Sequence, residues 1–572
     1  MLLSIIITAL LAWLWYSIYC LIQNINRARK LGLPYHILPV SPVNPLWVVL
    51  EPVIFYVLDR LPFQFGRLTH YGRRGWQFKD KAQSHLRMGD AFAIATPFEV
   101  FVYICDAQAI TEIINRRSDF VRPVELYKML DVFGPNVATT IGADWQRHRK
   151  IVAAPFNERL NSFVWDEAIS QTQGLLASRG KDSQFRGLGT DIRILALNVL
   201  AATGFKRAQS FQSSSSGDHR RSYGESLNIL MENSFLIMVI PPWILRLPIL
   251  PSWCRRVGHA FEDFRQHMLA MFNEEKALID RGQPGTGTLM STLIRESEVT
   301  TTGHSSSGAR KQPPLTLHEI LGNIYVINFA GHDTTANTLT YLMFLLAAYP
   351  DIQEWIAEEI RTVIPAIRDT DQTPGLGSYK EAFPRLKRCF AVLLETVRLY
   401  PAIIALPKSV APQEGTTLHL LESNRTLTLP QGTAILPSLL AVQTHPRYWP
   451  EEPQHWRPRR WIQATTTTAK AADTQQETIM DPKPGTYIPW SAGVQVCAGQ
   501  KFAQVETVAL LAACFRAHRL RAIRLPGKDF EAMQKRLVAM TMDTHQLLVI
   551  QMRDPDSVPF VWEYVGDGSE GQ

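Results

Sequence analysis

Apolar residues fill the chain's first segment without interruption by charge. From Leu2 to Ile22 the only breaks are Ser4, Thr8 and Ser17. Twenty-one helical residues rise about 30 Å, the thickness of a bilayer's hydrocarbon core. No basic residue precedes the run, whereas Arg27, Arg29 and Lys30 follow it. That order predicts an uncleaved transmembrane anchor over 2–22 with the rest of the chain in the cytosol. Residues 23–45, basic and then proline-rich, read as a stiff hinge. Residues 46–62 form an apolar stretch too short to span, expected at the interface or packed on the domain. In "DAFAIATPFEVFVYICD" two strand patterns flank a turn at Thr96-Pro97, and alternation across Glu99–Ile104 supports the second strand. "AQAITEIINRR" then has helical spacing, and helical patterns dominate from Ala107 to about Arg460. Strand-like segments return at "TLTLP", "TAILPSLL" and "HQLLVIQM". The stretches 209–217, 299–314 and 463–475 read as flexible surface, and the terminal "GDGSEGQ" as frayed. The expected architecture is one large, mainly α domain with small β-sheets (α+β) over 63–555, followed by a tail, 556–572.

Composition narrows this picture. Of 572 residues 46% are hydrophobic and 19% charged, which excludes a disordered chain. The net charge of +7 is scattered, with no long basic stripe, so no nucleic-acid partner is expected; an anionic membrane or an acidic protein fits at least as well. Six cysteines without a C-x-x-C pair indicate a reducing compartment rather than a disulfide framework.

The chemistry concentrates in "YIPWSAGVQVCAGQ". Cys497 stands between Gly493 and Gly499, and glycines remove side chains that would collide with a flat ligand lying on the backbone. Backbone N–H groups of such a loop can tune a thiolate. The series Trp490-x-x-Gly493-x-Gln495-x-Cys497-x-Gly499 resembles the haem-binding loop of the cytochrome P-450 family, with Trp490 in place of its Phe and Gln495 in place of its basic residue.

Four further motifs carry the resemblance in the family's order. Glu395 and Arg398 in "AVLLETVRLYP" lie on one helical face, and Arg460 of "PRRW" is matched as the third member of a buried structural triad. Glu358 and Arg361 repeat the spacing as a decoy on an exposed helix face. "FAGHDTTAN" resembles the oxygen-binding kink, which implies catalytic roles for Asp333 and Thr334, with Gly331 marking an approach to the helix backbone. Trp145 and Arg149 match the pair that holds a haem propionate. His148 between them could assist but is read as a surface residue. Lys408 stands where the family has an arginine for the other propionate. Cys514 reads as a core residue.

The resemblance implies a membrane-anchored, microsomal haem-thiolate monooxygenase of the type found in fungal secondary metabolism. Its cofactor would be heme b (iron protoporphyrin IX) with Cys497 as axial thiolate. Electrons would come from NADPH through NADPH-cytochrome P-450 reductase, docking on the basic face around Cys497. The location implied is the endoplasmic reticulum membrane, single-pass, with a cytosolic catalytic domain. Apolar stretches such as "NILMENSFLIMVIPPWILRLPILP" imply a lipophilic substrate: a terpenoid, sterol, polyketide or similar compound. Two rivals remain, a reductase-independent haem-thiolate isomerase or dehydratase, and a non-catalytic membrane-anchored haem protein. The intact Asp333-Thr334 pair argues against both.

Overall fold

The computed structural model describes residues 2–62, 66–180, 182–205, 221–284, 288–302, 313–364, 376–411, 415–464, 477–524, 527, 529–546 and 548–566. The whole run 209–217, most of 299–314 and of 463–475, and the last residues of "GDGSEGQ" lie outside them.

The apolar N-terminus forms a single helix, α1 (Leu2–Lys30), longer than the expected anchor. Its outer part is exposed, whereas Ala28 is fully buried and Asn24 donates from Nδ2 to the Thr96 carbonyl at 2.9 Å. One stretch, Ile7–Lys30, is long and apolar enough to cross a membrane. The stretch 23–45 is therefore less a hinge than a docked segment: its first third continues the helix, and Tyr35–Ile37 (β1) joins the main sheet. Helix α2 (Pro45–Leu58) buries Trp47 and Phe55 against the domain and turns Leu46, Val49, Val53 and Tyr56 outward.

The expected hairpin is present as β2 (Ala91–Ala95) and β3 (Val100–Ile104), antiparallel in register Ala91 to Ile104. Both strands are buried on both faces. Ala93 and Val102 join one apolar cluster, Phe92 and Tyr103 another. With β4 (Phe120–Val121), β5 (Lys408–Val410) and β6 (Ala434–Pro437) they make a six-stranded mixed sheet of order β1-β2-β3-β6-β5-β4. "TAILPSLL" is thus half strand, because its second half turns into the short helix Leu439–Thr444. "HQLLVIQM" is not one strand but part of a hairpin, Thr544–Gln546 against Ile550–Met552. The tail also proves structured: Phe560–Tyr564 pairs antiparallel with His518–Ala522, and Phe560 is fully buried, so the fold runs past residue 555.

The remainder is helical. The helices that position the site are α3 (Gly142–Ala153), α4 (Leu188–Phe205), α5 (Leu317–Ala348), α6 (Pro350–Val363), α7 (Lys387–Leu399) and α8 (Gln500–Phe515). Helix α5 begins at a capping box, Thr316 with Glu319, and its apolar content leaves almost every residue buried.

Candidate haem-thiolate site

One face of α5 departs from its burial. Between Ile320 and Leu346 every residue is buried except Ile327, Ala330, Gly331 and Thr334. Spacings of three and four put these on a single stripe facing open space within an otherwise packed molecule. Thr334 Oγ1 donates to the Ala330 carbonyl at 2.6 Å. Asp333 turns the other way: its Oδ1 accepts from Arg193 Nη1 of α4 at 2.9 Å, and Arg193 also donates to Asn337 at 3.3 Å. The expectation for Gly331 is corrected here. An added Cβ would meet the Leu200 side chain at 3.3 Å, so the approach it permits is that of α4. The tighter glycine is Gly322, where a Cβ would lie 2.3 Å from the Gly134 carbonyl oxygen.

The cysteine loop follows a short turn in which Gly493 has φ +63. Trp490, half-buried, accepts the Cys497 N–H on its carbonyl at 2.9 Å. Cys497 is accessible while the other cysteines of the globular part are buried. Protein nevertheless surrounds it closely enough that desolvation raises its thiol pKa, opposed by the Gly499 N–H and the charge of Arg149. A sulfur at the wall of an internal hollow has both properties. Gly499 has φ −86, and a Cβ there would meet Phe156 and the Cys497 sulfur at ordinary distances of 3.7 and 4.0 Å. Nothing in the protein itself demands a glycine at that point.

Cations gather beside this loop. Arg149 donates to the Val496 carbonyl at 2.7 Å, and Lys408 Nζ donates to Gln495 Oε1 at 2.7 Å. Arg122, which sequence reasoning missed, donates to the carbonyls of Val137 and Ala138 at 3.0 and 2.8 Å. Burial and then the charge of Arg122 push Lys408 down to about 8. Arg122 is lowered by burial and by Arg149, partly offset by Tyr127. No carboxylate among the described residues pairs with any of the three. One buried and two half-buried cations, with Arg122 acting on Lys408 and Arg149 on Arg122, are costly unless an anion joins them, and the two propionates of a haem are such anions. The donor set, the accessible sulfur and the unforced glycine fit the group.

Trp145 is buried, with the Arg117 guanidinium 5.8 Å over its ring. His148 is corrected from a surface residue to a fully buried one: Nε2 lies 3.2 Å from Glu319, and Nδ1 accepts from Asn323 at 2.9 Å. Both nitrogens are engaged with α5, which leaves none for a propionate.

The triad forms as expected and is larger than expected. Glu395 and Arg398 have no exposed surface; Arg398 donates to both carboxylate oxygens at 2.8 and 2.9 Å. Arg460 Nε, the Arg457 N–H and Trp461 Nε1 add bonds of 3.0, 2.8 and 2.9 Å. Burial alone would raise the Glu395 pKa, but Arg398, Arg460 and the Arg457 N–H outweigh it and hold the carboxyl below its ordinary range. Trp461 was marked by the Pro-x-Arg-aromatic spacing, but not as a donor to Glu395. The decoy is confirmed as separate: Glu358 pairs at 2.6 Å with Arg388 instead of Arg361.

The described contacts bring together Arg149, Val496, Gln495 and Lys408 on one side and Glu395, Arg398 and Arg460 on another. They join neither Asp333 nor Thr334 to Cys497.

A family model described as Cytochrome P450 matches residues 59–549. The chain is 30% identical over 503 residues to "Cytochrome P450 monooxygenase 124" of Postia placenta, covering 85% of this chain and 90% of that protein. It is 28% identical to the "Phomenoic acid biosynthesis cluster cytochrome P450 monooxygenase" of Leptosphaeria maculans, covering 94% and 95%. Among solved structures, the cytochrome P450DA heme domain superposes with TM-score 0.65 at 15% identity, covering 93% of this chain and 99% of that one. The chain belongs to the cytochrome P450 family and is a P450 monooxygenase.

Proposed function

We propose that Cys497 is the axial thiolate of heme b. On this reading the enzyme hydroxylates or otherwise oxidises a lipophilic small molecule, using electrons from NADPH through a separate cytochrome P-450 reductase. The observation that carries the proposal is the accessible Cys497 sulfur beside three uncompensated cations. When bound, the haem supplies the activation of dioxygen. Arg122, Arg149 and Lys408 hold its propionates, with Gln495 orienting the lysine and able to donate from its amide nitrogen. Trp145 and Trp490 pack at the edges, and Gly493 and Gly499 keep the loop backbone clear. The Gly499 N–H and Arg149 favour the thiolate form of Cys497.

Thr334 offers a hydroxyl on the open stripe of α5. Its bond to the Ala330 carbonyl fixes where that hydroxyl sits and leaves its oxygen free to accept. Asp333 faces away from that stripe, and its tie to the partly exposed Arg193 supports a route by which protons enter from outside. Ile327 and Ala330 make the stripe apolar, which supports a lipophilic substrate. A relative named for phomenoic acid biosynthesis supports a role in making a metabolite. Outward-facing Val49, Val53 and Tyr56 of α2, together with Trp243, Ile249 and Trp253, support contact with a membrane, for which we assign the endoplasmic reticulum with the catalytic domain cytosolic.

The test is turnover of the full-length protein in vesicles with reductase, NADPH and oxygen, offering terpenoid, sterol and polyketide candidates. An oxygenated product requiring both NADPH and reductase is expected, and Thr334→Ala should bind the same substrate but release peroxide in place of product. Product formed without NADPH would instead establish the rearrangement reading.

A further inference from the structure

The cysteine loop must be held in register with the buried ion-pair centre, and one side chain joins the two. Gln443, at the end of the short helix Leu439–Thr444, is fully buried. Its Nε2 donates to the Arg398 carbonyl at 2.9 Å, and its Oε1 accepts the Ile488 N–H at 3.1 Å. Its own carbonyl accepts from Arg398 Nη1 at 2.7 Å. Both ends of the amide and the backbone beside it are therefore engaged, on one side with the residue that completes the Glu395 pair and on the other with the stem of the cysteine loop.

Among the described residues that stem has few other hydrogen bonds to its surroundings. The Tyr487 hydroxyl donates to the Leu394 carbonyl at 3.1 Å, and Pro489 has no N–H to offer. Ile488 then accepts the N–H of Ser491, a non-glycine residue held at φ +64, and Trp490 accepts the N–H of Cys497. A shift at Ile488 is passed through these turns to the sulfur.

We infer that Gln443 is a positioning residue for Cys497: its amide sets the register between α7 and the loop that presents the thiolate. This rests on the assignment of Cys497 as haem ligand. Gln443→Met keeps the length of the side chain and removes both hydrogen bonds, leaving a buried N–H and a buried carbonyl unsatisfied. Protonated Gln443→Glu can still accept from Ile488 and donate to Arg398, so it serves as the conservative variant.

The experiment follows the red-shifted Soret band of the reduced, CO-bound full-length protein over time, with far-UV circular dichroism recorded in parallel. In Gln443→Met the band should decay roughly tenfold faster than in wild type, the effect of about 1.4 kcal/mol in a barrier, while the dichroism stays native. Gln443→Glu should recover wild-type decay at low pH, where its carboxyl is protonated, and lose it as pH rises. Decay that tracks loss of helix in Gln443→Met, or a band as long-lived as wild type, overturns the inference. A wild-type protein with no such band would instead overturn the Cys497 assignment, so the two failures are told apart.

Discussion

At Gln495 the amide oxygen already takes the Lys408 ammonium, so the missing basic residue is not an empty place in the site. The cation that makes up the charge is Arg122, whose charge lowers Lys408 and which is itself lowered by Arg149. Charge-assisted hydrogen bonds contribute about 1.5–3 kcal/mol. Arg122→Ala should therefore speed haem transfer to an apo-globin at least about tenfold, and unchanged transfer would remove Arg122 from the site. The haem-free protein offers a pH test. Lys408 is lowered from 10.5 to about 8, so between those values the unfolded chain binds the extra proton and the folded one does not. Stability must then rise with pH across that window. Thermal melts of haem-free protein should show this rise, and Lys408→Met should flatten it. The Glu395–Arg398 pair was legible because its motif fixes type and spacing, and the same kind of signal carries the proposed roles of Cys497 and Arg149. Arg122 and Gln443 were not legible: the charge of Arg122 acts on Lys408 and Gln443 bonds Arg398 and Ile488, each in a distant stretch of chain, and no local pattern records that.

Helix α5 shows the same boundary at the next scale. Its length and apolar content were plain, but the glycine that sequence reasoning picked out is the lesser of two. Gly331 meets only the flexible end of Leu200, whereas Gly322 faces the backbone of Gly134 and Pro135. Asn323 ties the same loop through the Val137 N–H at 2.9 Å. Overpacking against backbone costs about 1–3 kcal/mol, while alanine for a helical glycine gains about 1 kcal/mol. Gly331→Ala should leave the melting temperature close to wild type, and Gly322→Ala should lower it by several degrees. Equal effects in calorimetry would contradict this placement. The segment 545–552 reads as one strand because its apolar run does not break, whereas Thr544–Gln546 and Ile550–Met552 pair as a hairpin. A two-residue period says nothing about where a chain reverses.

Across the whole molecule, sequence patterning gave the class correctly and the margins poorly. The anchor helix does not end where its apolar run ends, because polar Asn24 and small Ala28 dock on the sheet and carry the helix to Lys30. At the other end, Phe560, Val561 and Trp562 form a buried edge against Leu520 that a short terminal run does not announce. On the proposed reading, what unites the parts is a sulfur, three cations and an open helix stripe that would hold a haem with thiolate ligation. The most direct measurement is the absorption spectrum of the reduced, CO-bound protein. Wild type and Cys514→Ser should both show the red-shifted Soret band of thiolate ligation, because Cys514 is sealed in the core. Cys497→Ser should lose it. An unchanged band in Cys497→Ser would contradict the account at its centre.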